Sequence, residues 1–216
     1  MYLQQIKGSY DEIVSLGSAC NTAIKLRQHN LRRFSGPLDW KVSGSLSDVN
    51  RLLKNKFKGF MELENMRLMD GSGYGLDNGT DLQPAKSHIV NDTYYNIISF
   101  HDFPALPNQD WAATYPAFKN KLHYRIDRFL EKITNSRAIL FVRWAGSYEQ
   151  AVELQSVLSG MVNGQFKILI LVPVEGFQGV KELNWNLNQV CAVTVPNLPY
   201  DDSTWNYVFN GITLTN

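Results

Sequence analysis

Two runs that are apolar at nearly every position, residues 138–142 (AILFV) and 166–172 (FKILILV), flank a segment of helical spacing at 147–161. Continuous apolar runs of this length are strands buried on both faces, and strand, helix, strand in this order is a crossover between parallel strands. The pattern predicts an α/β architecture in three layers, with a mainly parallel central sheet flanked by helices. Residues 116–134 add a helix whose apolar stripe is Phe118, Leu122, Ile126, Phe129, Leu130 and Ile133, and residues 190–195 (VCAVTV) add a last strand. The tail to Asn216 is expected to dock through Trp205, Tyr207 and Phe209.

The first half is less regular. Residues 11–17 (DEIVSLG) read as a short strand ending in a small-residue turn, and residues 21–29 take helical spacing. After a loop holding Pro37, Asp39 and Trp40, one of Ser45, Ser47 or Asp48 can cap a second helix carrying Val49, Leu52, Leu53 and Phe57. Residues 65–84 turn polar and glycine-rich, with GSGYG at 71–75 and DNG at 77–79, which predicts a surface excursion or hairpin around 65–85. Residues 94–100 (YYNIISF) have strand composition and are expected to stop at His101, Asp102, Phe103 and Pro104. No repeat, low-complexity tract or linker divides the chain, so residues 1–216 read as one domain.

Composition removes several function classes. With 21 Lys+Arg against 20 Asp+Glu, the net charge of +1 gives no overall electrostatic grip on nucleic acid or anionic lipid. No apolar run approaches the roughly 20 residues of a membrane span, and the opening MYLQQIKGSYDE lacks a signal-peptide core, so a cytoplasmic protein is expected. Four dispersed His and two Cys offer no paired spacing, which argues against a metal site or a disulfide framework. GSGYG lacks both a preceding strand and the GKS/T of a phosphate loop, so no cofactor is implied. The triplets Asn78-Gly79-Thr80 and Asn91-Asp92-Thr93 carry no weight as glycosylation signals, and Lys54, Lys56 and Lys58 read as a solvated helix face.

Ligands of open parallel sheets bind outside the carboxyl ends of the strands. Three predicted strand ends carry Gly17-Ser18-Ala19-Cys20, then His101-Asp102, then Arg143. The first and middle strands are expected to run side by side in the same direction and deliver Cys20 and His101 into one cleft. Cys20 would sit at a helix N-terminus, where unpaired amides and the helix dipole favour the thiolate, though its position alone also reads as a small core residue; Cys191 lies within an apolar strand and reads as core. His101 suits a general base, while His29, His88 and His123 read as structural or solvated. Asp39 and Asp102 compete to orient the imidazole. Neighbours on a strand point to opposite faces, so Asp102 reaches His101 only if the chain bends, which favours Asp39, itself also readable as a loop-turning Asp. Arg143 either grips a substrate carboxylate or phosphate or makes a structural ion pair. Ser18 and the amides near Cys20 could hold an oxyanion, and Asn21 and Trp40 complete the candidate substrate-binding set.

The blocks VSLGSAC (14–20), GPLDW (36–40), HDF (101–103) and FVR (141–143) together resemble a bacterial family of papain-like cysteine peptidases, a domain of unknown function. The likeness runs from about Tyr10 to Val172, and Leu38 stands where that family has Phe, which leaves Asp39 and Trp40 in place. It implies Cys20 as nucleophile and His101 as its partner. A papain-like chain would follow its cysteine helix with an antiparallel sheet. The crossover pattern points to α/β instead, so the label is read as describing the Cys and His pair and not the fold. Two functions follow: a thiol hydrolase or acyltransferase acting on a peptide, amide or other small molecule, or a transferase-like domain seating a phosphate or nucleotide-sugar on the turn Gly17 to Asn21 with Arg143 assisting.

Overall fold

The structure, a computed structural model, describes residues 1–77 and 81–216, with side chains described for 1–74 and 86–216. The first half runs α1 (Leu3–Ile6), β1 (Gly8–Tyr10), β2 (Glu12–Ser15), α2 (Cys20–Gln28), β3 (Lys41–Val42), α3 (Leu46–Lys54), β4 (Met66–Asp77), β5 (Asp81–Asp92) and β6 (Ile97–Pro104). The second half runs α4 (Tyr115–Asn135), β7 (Ala138–Trp144), α5 (Tyr148–Ser159), β8 (Gln165–Val174), β9 (Lys181–Leu183), β10 (Val190–Pro196), α6 (Asp202–Phe209) and β11 (Ile212–Leu214).

The fold is mixed α/β with one mostly parallel sheet, ordered β2-β7-β8-β10-β9, in which only the β10–β9 pairing is antiparallel. Alternation along β7 sends Ile139 and Phe141 into one buried cluster with α3, α4 and α5, and Leu140, Val142 and Trp144 into another with α1, α2 and α6. That is why the strand sequences are apolar throughout. Helix starts follow from capping: Ser45 accepts from the amide of Ser47, and Ser147 with Gln150 forms a reciprocal box at the start of α5. In α6 the buried residues are Trp205, Val208 and Phe209, while Tyr207 is exposed, so the tail docks on a helical period that replaces the expected Tyr207 with Val208.

The expectation of a single central sheet needs correction. Residues 41–104 build a second, antiparallel sheet ordered β3-β6-β5-β4, and the predicted strand at 94–100 belongs to it and not to the parallel sheet. Its start is later than predicted because the Asp92 carboxylate accepts from the amides of Tyr94 and Tyr95, turning the chain there, and Asn96 takes a positive φ of 53°. It also runs on through His101 to Pro104. The excursion read around 65–85 is the β4–β5 pair; residues 71–75 (GSGYG) lie within β4 and not in a turn, while Asn78, Gly79 and Thr80 of the DNG and glycosylation readings lie outside the described residues. An antiparallel sheet therefore does follow the cysteine helix, alongside the parallel one.

The two sheets share a core. Met66, Val90, Ile97 and Phe103 of the antiparallel sheet pack in the same cluster as Ile139, Phe141, Ile168 and Ile170 of the parallel sheet. Among the described residues no helix is long and apolar enough to cross a membrane.

Candidate active site

Cys20 opens α2 directly behind the turn Gly17-Ser18-Ala19. The turn is conformationally demanding: Gly17 has φ 80° and Ser18 φ 92°, a region that a side chain rarely adopts. A Cβ on Gly17 would also stand 3.0 Å from the Ser43 hydroxyl. The cap position is Ala19, which makes no side-chain cap bond, so the first amides of α2 are not taken by a capping group.

A buried brace holds this turn. Arg143, fully buried near the end of β7, donates to the carbonyls of Leu16 (2.9 Å), Ser43 (2.6 Å) and Ala145 (3.2 Å) and to the Ser43 hydroxyl (2.8 Å). That hydroxyl in turn accepts from the Ser18 amide, and the Ser43 amide donates to the Ser18 carbonyl. Burial pushes the guanidinium down to about 9. With its donors committed to protein oxygens, Arg143 is not placed to grip a substrate, and it makes no ion pair among the described residues. Its bonds tie the turn before Cys20 to the end of β7.

His101 comes from the other sheet. In β6, Phe103 pairs with His88 and Ser99 with Val90, so Phe100, His101 and Asp102 stand opposite Ile89 alone in an irregular stretch. That bend presents His101 toward α2, with its Nε2 3.4 Å from the Cys20 sulfur. Its Nδ1 lies 2.6 Å from the Tyr74 carbonyl. A carbonyl can only accept, so Nδ1 carries the hydrogen and Nε2 turns its lone pair to the thiol.

Neither Asp makes the contact expected of it. Asp39 is buried against Arg32 (2.9 Å) and the Gly36 amide (2.9 Å), where it shapes its loop. Asp102 accepts from Ser99 (2.6 Å) and pairs with Lys41. Burial alone would raise the Asp102 carboxyl, but Lys41, Ser99 and Arg125 together bring it down to about 2. The orienting group is instead a backbone carbonyl, which residue identity does not reveal.

The remaining candidates separate by burial. Ser18 stays half-buried beside Cys20. Asn21 and Trp40 are 1% and 3% exposed, so both are interior, and each leaves a side-chain N–H without an acceptor among the described residues. Cys191 is buried in β10, and His29 is held by the Lys25 carbonyl and Asn206. Sequence reading missed Lys41, Ser43 and Tyr74, and also Tyr200, an exposed tyrosine whose hydroxyl is raised by burial and by proximity to Cys20.

The electrostatics of the thiol also differ from expectation. Burial pushes Cys20 up to about 11, with Lys41 opposing and Asp102 and Asp39 adding to the rise. Desolvation outweighs the lowering influences of Lys41 and the local backbone, which favours the neutral thiol over the thiolate.

Comparison with protein families matches residues 11–176 to the family described as "Putative papain-like cysteine peptidase". The chain belongs to this family. A relative from Acanthamoeba polyphaga mimivirus, described as an uncharacterized protein, is 32% identical over 133 residues, covering 60% of this chain and 60% of the relative. That relative is viral, so it lends nothing to the bacterial origin implied by the resemblance. No solved structure matches.

Proposed function

We propose that this chain is a cysteine-dependent hydrolase acting on a peptide or related acyl bond, with Cys20 as nucleophile and His101 as general base, and that residues 1–216 act as one unit. The observation that carries the reading is the 3.4 Å approach of Cys20 Sγ to a ring nitrogen whose free lone pair is fixed by the Tyr74 carbonyl. As the sulfur attacks the acyl carbon, its proton passes to His101 Nε2. The amides around Cys20, left uncapped by Ala19, receive the developing oxyanion. The imidazolium then returns the proton to the leaving group, and a water, deprotonated by His101, cleaves the thioester. A neutral thiol makes the histidine essential to the first step, since no thiolate is stored in advance.

The transferase-like alternative draws on the same turn. Its expected helper, Arg143, is enclosed in the protein, and no observation favours it over acyl transfer.

Exposure to a phenyl thioacetate tests the reading. Peptide mass mapping is expected to find the acetyl group on Cys20 in the wild type and to find it absent in His101→Ala. Acylation of His101→Ala at the wild-type rate, or acylation confined to lysines, would sink it.

A further inference from the structure

The loop between β10 and α6, residues 197–200 (NLPY), follows the carboxyl end of β10. Because β2, β7, β8 and β10 run parallel, this is the same edge of the sheet at which the Cys20 turn follows β2. From there α6 returns alongside α2. Asp202 pairs with Lys25, and one turn further along both helices the Asn206 side chain meets His29 Nε2 at 2.8 Å. The two helices therefore run in the same direction, with the start of α6 beside the second turn of α2. The residues just before α6 fall beside the first turn, where Cys20 stands. The Tyr200 hydroxyl responds accordingly, being raised by burial and by Cys20.

The loop presents large apolar groups at this place. Leu198 and Tyr200 are 61% and 57% exposed. Their backbone is nevertheless anchored: the Leu198 amide donates to the Pro196 carbonyl (2.7 Å), and the Leu198 carbonyl accepts from the Asp201 amide (3.0 Å). The indole of the fully buried Trp205 donates to the Pro199 carbonyl at 2.9 Å. Single exposed apolar side chains are ordinary, but two of them on an anchored loop next to a reactive sulfur are a surface that a substrate can cover. The acids that follow are engaged, Asp201 as the cap of α6 through the Thr204 amide and Asp202 with Lys25. The loop thus offers apolar area in place of charge. His101 comes to the sulfur from β6, anchored by Ile97 and Phe103 in one buried cluster, while α6 is anchored in the other with Leu26 of α2. The base and the loop therefore reach Cys20 from separate elements.

We propose that Leu198 and Tyr200 form the wall of a specificity subsite for a large apolar side chain, aromatic or branched aliphatic, carried next to the carbonyl that Cys20 attacks. Seating such a side chain there removes apolar surface of both partners from water. The inference rests on the hydrolase reading of Cys20 and His101 and adds a substrate class to it. Residues 197–200 lie beyond the 11–176 that match the family, so the subsite belongs to this chain's C-terminal segment and not to the matched region.

Thiophenol release from the phenyl thioesters of N-acetylated phenylalanine, leucine, glycine and glutamate tests it, with the rate in Cys20→Ala subtracted. The phenylalanine and leucine thioesters are expected to exceed both others in kcat/KM by roughly tenfold or more. In Leu198→Ser/Tyr200→Ser, two exposed positions, the phenylalanine-to-glycine ratio should fall close to one. Tyr207→Ser, which removes an equally exposed tyrosine from the middle of α6, should keep the ratio. Equal turnover of the four thioesters, a better rate with glutamate, an undiminished ratio in the double variant, or an equal fall in Tyr207→Ser would each overturn the subsite and leave the hydrolase reading standing. Absence of Cys20-dependent turnover of all four would overturn both.

Discussion

The Tyr74 carbonyl accepts the Nδ1 hydrogen of His101 at 2.6 Å, and this one backbone contact selects the tautomer that faces Cys20. A carbonyl does the work that an acidic side chain was expected to do. Its position depends on how closely β4 can approach β6.

Gly73 sets that approach. A Cβ there would lie 2.0 Å from the Phe100 carbonyl oxygen, a backbone atom that cannot step aside cheaply. Gly73→Ala is expected to push Tyr74 off His101 and lower kcat/KM for the thioester by about 10²-fold. Nitrogen NMR of the His101 ring checks the cause, because loss of the carbonyl contact yields a tautomer mixture, which a merely destabilised protein would not show.

Cys20 alkylation should follow the neutral-thiol picture. With the thiol pushed up to about 11, its rate with iodoacetamide is expected to climb about tenfold per pH unit from roughly pH 7 to 9, without a plateau. Cys191, fully buried and pushed up to about 12, should stay unlabelled in the folded protein. A rate already flat near neutrality would instead reveal a preformed thiolate–imidazolium pair.

Asp102 and Lys41 predict an acid limb of stability. The folded Asp102 carboxyl sits at about 2, below its ordinary value of 3.8. Its contribution is therefore complete above about pH 4 and is lost as pH falls toward 2, because the unfolded chain binds the proton first. Acid unfolding monitored by circular dichroism should lose part of this limb in Asp102→Asn. Lys41→Met, which strands the buried carboxylate, is expected to cost roughly 3–5 kcal/mol, much of it recovered in Lys41→Met/Asp102→Leu.

Arg143→Met removes four hydrogen bonds from the interior and strands the Leu16 and Ser43 carbonyls. A loss of about 3 kcal/mol is expected in thermal unfolding. With its brace gone the turn at Ser18 should relax, and the acetylation rate of Cys20 should fall by more than KM changes.

Periodicity exposed the parallel sheet because its strands are apolar on both faces and its helices carry regular stripes, as in Phe118, Leu122 and Phe129. The antiparallel sheet was harder to read. β3 is two residues long, β4 carries Gly71 and Gly73 where strands are usually poor in glycine, and β6 contains a bend at His101 that breaks alternation. Cys20 stood out through its turn and helix, and His101 through the strand before it. What composition could not supply were partnerships: Lys41 with Asp102, Arg143 with Ser43, and His101 with a main-chain oxygen each depend on how two distant segments cross.

The sulfur and the imidazole ride on different sheets, and the strand that carries the sulfur turn, β2, is hydrogen-bonded in its sheet to β7 alone among the described residues. The turn that carries the sulfur therefore lacks its brace until the chain has folded through Arg143, 127 residues beyond the Leu16 carbonyl that the guanidinium holds.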